Sequence, residues 1–332
     1  MKETLSFEDV LLVPQKSDIV SRSEVNLTST MGNHSFELPI IASPMDTVTE
    51  TVMASTMKEL GALGIIHRYA SIEEQCEMIS PTVVAAAVGV SGDFKERVAS
   101  LKEVGLEIVC LDVAHGHHSM MEAALKHLRD TYGNDLTIIA GNVATPEGYR
   151  DLSEWGADAV RIGIGGGSIC STRIQTGHGV PTFQSVWDCK YVDADAKIIA
   201  DGGIKTAGDM VKAIAAGADF VMLGSMLAGT DESPGQVFVS GDDKKYKVYR
   251  GMASVEAQVD WRGEARSLEG VSTTIPYKGS VTSVMSGLKQ NIRSGLSYSG
   301  ARTIEEFQAK ARFIRQTSAS MVESGTHILN GR

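Results

Sequence analysis

Short apolar runs recur along the chain, and each ends in glycine or polar residues. There are eight of them: LPIIASPMD (38–46), ALGIIHR (62–68), TVVAAAVGV (82–90), EIVCLDVAHG (107–116), TIIAGNVAT (137–145), AVRIGI (159–164), KIIADGG (197–203) and DFVMLGSM (219–226). Each run is continuously apolar rather than alternating, which is typical of parallel strands covered on both faces. The pattern therefore predicts eight buried parallel strands.

Segments with helical periodicity lie between these runs. They are TETVMASTMKELG, SIEEQCEMIS, DFKERVASLKEVG, SMMEAALKHLRDTYG, TPEGYRDLSEWG and TAGDMVKAIAAG. Several have Ser, Thr or Asp at the expected N-cap and Gly just past the end. Eight strand–helix units predict an α/β fold, a (β/α)8 TIM barrel; an open doubly wound sheet is the alternative, although it does not need so many units.

Two stretches interrupt this rhythm. The sixth run is followed by a long glycine-rich loop at about 164–182, and the eighth by a polar, turn-rich stretch at about 227–285 that comes before the helical pattern ARTIEEFQAKARFIRQ. Barrel active sites are built from the loops that follow the strands. We therefore predict one domain over 1–332, with an active-site loop and a mobile flap.

Composition and charge narrow the class of partner. The 332 residues are 42% hydrophobic and 22% charged, with 31 basic against 41 acidic side chains and a formal net charge of −10. The apolar runs are too short to span a bilayer, and the N-terminus has no cationic lead into an apolar stretch. The excess of acidic residues and the short apolar runs together predict a cytoplasmic protein that binds neither nucleic acid nor membrane.

The four cysteines show no CxxC spacing, which argues against a zinc ribbon and a disulfide scaffold. Cys76 and Cys189 lie in helical patterns and Cys110 lies inside the fourth strand, so packing explains them. Cys170 instead follows the run GGGS in the long loop, where packing does not explain a thiol. It is the predicted nucleophile, a thiolate at the barrel mouth.

Glycines after the last two strands predict a phosphate site. Asp201-Gly202-Gly203 follows the seventh strand and Gly224-Ser225 the eighth, which is where barrels commonly bind phosphate, and Ser168 offers a further donor. Asp201 would then be placed to accept the two hydroxyls of a ribose.

Other polar residues at strand ends have more than one interpretation. Asp112 closes the fourth strand and is followed by His115, His117 and His118, but this spacing is not that of a zinc site. His67-Arg68 closes the second strand. Glu269, in the flap, is by itself either a functional carboxylate or a solvated surface charge.

Taken together, the motifs identify a family. The loop GIGGGSICSTR (163–173) is accompanied by SPMDTVTE (43–50), AGNVAT (140–145), IIADGGI (198–204), VMLGSMLAGTDESPG (221–235) and YRGMAS (249–254). Over nearly the whole chain this combination resembles the IMP dehydrogenase and GMP reductase family. The resemblance implies a (β/α)8 barrel, a purine nucleotide substrate (GMP or IMP) and a homotetramer.

The resemblance also implies roles for individual residues. Cys170 matches the cysteine that attacks C2 of the purine, Thr172 matches the threonine beside it, and Asp201 matches the ribose contact. Further substrate contacts fall on Ser43, Met45, Asn142, Ser168, Gly203, Gly224, Ser225, Tyr249, Met252 and Ala253.

A nicotinamide cofactor and a cation follow from the same resemblance. Asp112 matches the aspartate that faces the nicotinamide ribose, Arg68 stands among the catalytic residues, and Arg293 and Ser294 are assigned to the cofactor, expected to be NADPH with NADH as a second choice. The carbonyls of the loop residues Gly165, Gly167 and Cys170 match a site for a monovalent cation, K+.

The flap separates the two activities of the family. Dehydrogenases resemble one another in an Arg-Tyr pair whose arginine activates water, and no such dipeptide occurs between 252 and 280. Arg266 and Glu269 instead fall on the GMP-contacting arginine and catalytic glutamate of reductases, and no regulatory module interrupts ALGIIHRYASIEEQ. The sequence predicts a GMP reductase; an IMP dehydrogenase without the module is the alternative.

Three positions depart from the reductase pattern. Arg68 stands where many reductases have lysine, Ala253 where many have serine, and Gly166 where proline is frequent. Outside the family, a Schiff-base aldolase would need a lysine where the sixth strand has Arg161, and a catalytically silent nucleotide-binding regulator would need no thiol chemistry.

Overall fold

The computed structural model describes residues 3–241, 243–266 and 268–326 of the chain. Its strands are β1 (Val10–Leu12), β2 (Ser29–Met31), β3 (His34–Phe36), β4 (Ile40–Ala42), β5 (Leu63–Gly64), β6 (Ala85–Val88), β7 (Ile108–Asp112), β8 (Thr137–Val143), β9 (Ala159–Ile162), β10 (Lys197–Asp201), β11 (Phe220–Leu223), β12 (Phe238–Val239), β13 (Lys245–Arg250), β14 (Ser272–Pro276) and β15 (Phe313–Arg315). Its α-helices are α1 (Thr51–Glu59), α2 (Ile72–Met78), α3 (Phe94–Glu103), α4 (Ser119–Tyr132), α5 (Pro146–Glu154), α6 (Thr172–Thr176), α7 (Thr182–Cys189), α8 (Ala207–Ala216), α9 (Val255–Arg262), α10 (Val281–Ser297), α11 (Ile304–Lys310) and α12 (Ser318–Glu323).

Eight parallel strands of the described chain form one barrel. Their order is β5-β4-β11-β10-β9-β8-β7-β6. A parallel bridge between Ile66 and Ala86 joins the two ends of this sheet, with the Ile66 amide 3.0 Å from the Ala85 carbonyl. These strands are the eight predicted apolar runs, so the (β/α)8 prediction is confirmed and the open-sheet alternative is wrong. The six predicted helices are also confirmed, as α1 to α5 and α8.

Apolar side chains fill the lower part of the barrel interior. This layer includes Ile108, Cys110, Ala159, Ile199 and Phe220. The antiparallel hairpin of β2 and β3 closes the end of the barrel where the strands begin, because its Phe36 ring packs edge-on against Phe220 at 5.6 Å between centroids. The lower layer is therefore a packed core.

The connection after the second barrel strand is short. Only residues 65–71 lie between β5 and α2, and the chain passes through them without an inserted unit. At the far end of the described chain, β15 pairs antiparallel with β1. No α-helix of the described residues has both the length and the apolar character that crossing a bilayer requires.

The stretch that we predicted as a turn-rich flap contains regular structure. β12, β13 and β14 form an antiparallel sheet, helix α9 follows β13, and α10 already begins at Val281. The sequence KYKVYR of β13 buries Lys247 and Tyr249 on one face, which is the alternation of a half-buried strand. Strands and helices therefore alternate with turns in this stretch, and its mobility stays a prediction.

A buried ammonium joins this sheet to the segment that follows β11. Lys247 is 3% exposed, and its Nζ donates to the carbonyls of Thr230 at 2.9 Å and Ser233 at 2.6 Å. Burial lowers the pKa of Lys247, although nearby acidic side chains oppose the shift. The carbonyl oxygens thus compensate for a charge taken out of water.

Candidate active site

One cavity of about 470 Å³ opens at the carboxyl ends of the barrel strands. It collects nearly all the residues that the sequence singled out. These are Ser43, Met45, Arg68, Asp112, Asn142, Gly165, Gly167, Ser168, Cys170, Thr172, Asp201, Gly203, Gly224, Ser225, Met252, Ala253, Arg266 and Glu269. Residues more than 200 positions apart in sequence therefore share one site.

Cys170 begins a short chain of hydrogen bonds. Its Sγ lies 3.2 Å from Thr172 Oγ1, which donates to Glu269 Oε2 at 2.8 Å. Thr172 lies at the start of α6, and Glu269 comes from the flap almost a hundred residues later. A thiol, a hydroxyl and a carboxylate in this order can carry a proton away from sulfur.

Backbone hydrogen bonds dock the flap on the Cys170 loop. The Ser171 amide donates to the Glu269 carbonyl at 2.9 Å, and the Val271 amide donates to the Ile169 carbonyl at 3.1 Å. Gly270 lies between them, and a Cβ there would meet the backbone of Ser254 at 2.8 Å. This glycine is needed because the flap passes directly over another backbone segment.

One end of the cavity is built from hydroxyl groups around Gly224. A Cβ at Gly224 would lie 2.9 Å from the Tyr249 hydroxyl and 3.3 Å from Ser43 Oγ, so the glycine leaves room there. Ser43 Oγ is buried and finds no hydrogen-bond partner among the described residues. The Tyr249 hydroxyl lies 3.4 Å from Ser168 Oγ. Burial raises the pKa of Tyr249, so it stays a neutral donor, and the group suits an anion such as phosphate.

The loops after the sixth and seventh strands approach each other closely. Gly202 and Gly203 both adopt positive φ, at 88° and 78°. A Cβ at Gly202 would lie 3.0 Å from the Gly167 amide nitrogen, and one at Gly166 would lie 2.6 Å from Thr182 Oγ1. Glycine at these positions lets two loops line the same site with their backbones.

Asp201 presents one carboxylate oxygen to the protein. Its Oδ2 accepts from Asn142 Nδ2 at 2.8 Å and from Arg161 Nη2 at 2.9 Å. No described residue donates to the other oxygen, although Asp201 lines the cavity. That arrangement leaves an acceptor for ligand hydroxyl groups.

Asp112 is held by two guanidinium groups. Oδ1 forms a short hydrogen bond with Arg161, and Oδ2 lies 3.4 Å from Arg68 Nε. Burial alone would raise the pKa of Asp112, but the charges of Arg161 and then Arg68 outweigh it and lower the pKa below its usual value. Asp112 is therefore an anion, and its long contact with Arg68 can yield to a ligand.

Arg161 is a buried cavity residue to which the sequence assigned no role. It is 7% exposed and contacts both Asp112 and Asp201. Burial disfavours its charge, but the two carboxylates outweigh this effect and raise the pKa of Arg161. The signal was available, because Arg161 is a charged side chain inside the apolar run AVRIGI.

Tyr69 and Arg262 also line the cavity, and the sequence did not identify them. The rings of Tyr69 and Trp261 stack at 5.8 Å, and Arg262 lies 6.0 Å from the Tyr69 ring. The Tyr69 hydroxyl donates to the Met252 carbonyl at 2.7 Å, which fixes the segment expected to line the base site. Arg266 lies at the edge and pairs with exposed Glu264.

Two of the three histidines after Asp112 have structural partners, and His115 is exposed. His117 Nε2 lies 2.7 Å from Asp151 Oδ2, and His118 Nδ1 accepts the Met120 amide as the N-cap of α4. Across residues 3–241, 243–266 and 268–326, no group of three or more His, Cys, Asp or Glu is arranged to hold a metal ion.

Two cysteines are buried away from the cavity. Desolvation raises the pKa of Cys110 and of Cys189 to about 12, and Cys76 is half-buried on α2. These positions agree with their interpretation as packed side chains.

The remaining assignments concern the cation and the cofactor. The Cys170 amide donates to the Gly167 carbonyl at 3.2 Å. This turn carries the carbonyls of Gly167 and Cys170, and Gly165 precedes it; carbonyl oxygens are the donors that hard cations accept. Arg293 and Ser294 lie on α10 and outside the residues that line the cavity; Arg293 donates to the Val25 carbonyl at 3.1 Å.

Comparison with known proteins shows which family has this architecture. Residues 4–327 match the model of the IMP dehydrogenase / GMP reductase domain. The chain is 34% identical to inosine-5'-monophosphate dehydrogenase of Nitrosopumilus maritimus and 32% identical to GMP reductase of Leishmania major; each alignment covers 98% of this chain and 98% or 97% of the relative.

A solved structure has the same fold. It is a cysteine-to-alanine variant of GMP reductase from Trypanosoma brucei in complex with guanosine 5'-monophosphate, with a TM-score of 0.92, 32% sequence identity and 98% coverage of both chains. The sequence match over nearly the full length, the closed barrel and the thiol at its mouth lead to one conclusion: this chain belongs to the IMP dehydrogenase and GMP reductase family of oxidoreductases.

Proposed function

We propose that the chain is a GMP reductase, which converts GMP to IMP and ammonia with NADPH through a covalent thioimidate on Cys170. The observation that carries the proposal is the hydrogen-bonded chain Cys170–Thr172–Glu269, whose carboxylate is supplied by the docked flap. A relay that ends on a carboxylate suits this reaction because the amine of GMP leaves only when it gains a proton.

The first half of the reaction exchanges nitrogen for sulfur. The Cys170 thiol gives its proton through Thr172 to Glu269, and its sulfur bonds to C2 of the purine. The bond between C2 and the exocyclic nitrogen then breaks as Glu269 returns the proton to the amine. Ammonia leaves, and atoms and charge balance without another reactant.

The second half requires a hydride at C2. A reduced nicotinamide would supply this hydride when bound. The bond between sulfur and C2 then breaks, and the Cys170 thiolate takes up a proton. Asp112 and Arg68 suit such a cofactor, because an ionised carboxylate accepts ribose hydroxyls and a guanidinium binds phosphate. The proposal includes NADPH, with NADH as the second choice, and assigns Arg293 and Ser294 to the more distant part of the cofactor.

The nucleotide would lie along the loops that follow the sixth, seventh and eighth strands. We assign its ribose to Asp201, whose second oxygen has no described donor. The phosphate contacts are assigned to Ser168, Gly203, Gly224, Ser225 and Tyr249, and the base contacts to Met252, Ala253 and Arg266, with Ser43, Met45 and Asn142 nearby. The buried Ser43 hydroxyl has no partner among the described residues and supports a bound ligand at this end of the cavity, because a buried donor without a partner is destabilising.

IMP dehydrogenase is the second candidate, since relatives with that name are as similar to the chain as those named GMP reductase. It would need a base that activates water against the same covalent intermediate. The stretch 252–280 contains no Arg-Tyr dipeptide, and the flap residue within reach of Thr172 is Glu269. The intermediate would therefore wait for hydride rather than react with water.

A two-substrate assay decides between the candidates. We expect GMP with NADPH to consume reduced nicotinamide and release one ammonia for each IMP formed, and IMP with NAD+ to give no XMP. The Cys170→Ala variant is the control for contaminating activity. Formation of XMP with no ammonia release from GMP would refute the reductase assignment and establish the dehydrogenase.

Three further properties belong to the proposal because they follow from family membership. A K+ ion is assigned to the carbonyls of Gly165, Gly167 and Cys170, the assembly is a homotetramer, and the protein acts in the cytoplasm on free purine nucleotides. The carbonyl oxygens of the Gly167–Cys170 turn support the first of these.

A further inference from the structure

The strand next to Arg161 leaves space for its side chain in the barrel interior. It lies on β9 opposite Gly141 of β8 and Ile199 of β10. A Cβ at Gly141 would lie 2.6 Å from the Cβ of Arg161, so the neighbouring strand has no side chain there. The guanidinium is buried above the apolar lower layer, and its Nε finds no partner among the described residues.

The guanidinium connects two carboxylates that otherwise would not be linked. Nη1 donates to Asp112, and Nη2 donates to Asp201 Oδ2 at 2.9 Å. The other charged or titratable groups that face these residues in the described structure are Arg68, 3.4 Å from Asp112, the Cys110 thiol, 3.5 Å from Nη1, and the Tyr249 hydroxyl, whose ionisation the charge of Asp201 opposes.

Two carboxylates in one desolvated space repel each other unless a cation lies between them. Burial opposes the ionised form of Asp112, and Arg161 is the strongest of the charges that overcome this effect. Arg68 contributes from the other side but is more exposed and more distant. Removal of Arg161 therefore leaves Asp112 with a weaker partner and leaves Asp201 held by Asn142 alone.

We infer that Arg161 is a positioning residue that holds the ribose-binding carboxylate of the nucleotide site and that of the cofactor site in one ionic framework. The inference rests on the proposed roles of Asp201 and Asp112, which both candidate activities share, and not on GMP as the substrate. A carboxylate must be ionised and correctly oriented to accept a ribose diol. The guanidinium of Arg161 keeps both carboxylates ionised and oriented, one for the nucleotide and one for the cofactor.

The test compares Arg161→Met, which removes the charge, with Arg161→Lys, which keeps it on a group that cannot bridge both carboxylates. Binding of IMP and of NADP+ to each purified full-length variant is measured by calorimetry. In Arg161→Met we expect both dissociation constants to rise at least about tenfold. In Arg161→Lys at least one should rise by a similar factor, because an ammonium can reach only one carboxylate.

The pH profile gives a second readout. Loss of Arg161 raises the pKa of Asp112, so in Arg161→Met the acid limb of kcat/KM moves to higher pH and activity is lost earlier as the pH falls. Arg161→Lys keeps a positive charge near both carboxylates, so its acid limb should move less than that of Arg161→Met. A role in packing alone would lower activity by the same factor at every pH.

The matched control is Arg129→Met. Arg129 on α4 is a partly buried arginine that pairs with Asp158 at 2.7 Å and does not line the cavity, so its loss should lower stability without changing either affinity. The inference is overturned if both Arg161 variants fold and bind IMP and NADP+ like the wild type. Should Arg161→Met fail to fold, unchanged affinities in Arg161→Lys would overturn it equally. Absence of turnover with GMP would contradict the reductase assignment but leave these binding results interpretable.

Discussion

The lower and upper layers of the barrel interior differ in chemistry although the same strands build both. On β7, Cys110 belongs to the apolar layer and Asp112 to the cavity; on β9, Ala159 and Arg161 are divided in the same way, and on β10, Ile199 and Asp201. In each strand the two residues are two positions apart, so they point to the same side. A single step of the pleat separates packed core from reactive site.

The two layers therefore contribute differently to stability and to function. Apolar side chains of the lower layer hold the strands together without any polar group that needs a partner. The charges of the upper layer are satisfied by one another, through Arg68, Asp112, Arg161 and Asp201. Changes in the lower layer should therefore affect unfolding, and changes above it should affect turnover.

The largest effect is expected from the thiol at the cavity. Cys170→Ala removes the nucleophile, so kcat should fall on the order of 10⁴-fold or more while the nucleotide dissociation constant changes less than about threefold. Steady-state kinetics and calorimetry measure the two quantities. Cys76→Ala, which removes a half-buried thiol outside the cavity, should leave both unchanged. Substantial turnover in Cys170→Ala would rule out covalent catalysis at this sulfur.

The next effect lies in the lower layer. Phe220→Ala deletes a fully buried ring that packs against Phe36, and it should reduce the free energy of unfolding by about 3–5 kcal/mol. Chemical denaturation measures the loss, and kcat/KM of the folded fraction should stay within about twofold. Phe238→Ala, at a half-exposed ring on β12, is the control. If Phe220→Ala impaired catalysis but not stability, the division of the two layers would be wrong.

A smaller effect is expected from the flap carboxylate. Glu269→Gln keeps the size of the side chain but removes the proton acceptor for Thr172, so kcat should fall about 10²–10³-fold with little change in nucleotide affinity. Glu256→Gln changes an exposed carboxylate on α9 of the same flap, outside the cavity lining, and should have no effect. Ammonia release by Glu269→Gln at the wild-type rate would show that the proton takes another route.

The smallest expected effect concerns the labelling of cysteine thiols at mildly alkaline pH. Because burial raises the pKa of Cys110 and Cys189 to about 12, their reactive thiolates form only as the pH approaches that value. Iodoacetamide at about pH 8 should therefore label Cys170 in the cavity and spare these two, as read by peptide mass spectrometry. Protein unfolded in urea should be labelled at all four cysteines. Equal labelling of Cys110 and Cys170 in the folded protein would show that the lower layer opens.

Local pattern was sufficient for the barrel because each strand is a short apolar run and each confirmed helix has recognisable ends. Helix α10 was not predicted. Its buried residues have helical spacing, at Val281, Met285, Leu288, Ile292 and Leu296, but the serines and glycines between them made the start of the helix look like part of the turn-rich flap. The last predicted helix ends at Lys310 rather than continuing, because the segment after it pairs with β1. Pairing partners three hundred residues apart are not visible in local periodicity.

The site was recognisable as motifs but not as contacts. Glycine-rich loops and polar strand ends indicated where the cavity would be, and Cys170, Thr172 and Glu269 were named from the sequence. That Glu269 reaches Thr172, or that Arg161 bridges two aspartates, depends on how the strands curl and where the flap lies. Such distances arise from the closed barrel and cannot be read from spacing.

The flap is attached at the thiol loop by main-chain hydrogen bonds at Ile169, Ser171, Glu269 and Val271. Amide and carbonyl groups are common to every amino acid except for proline's missing donor. Natural selection can therefore replace the side chains of this segment, for example one general base by another, while its main-chain hydrogen bonds to the thiol loop are kept. An enzyme built in this way can acquire a new reaction by point substitution in a preserved scaffold.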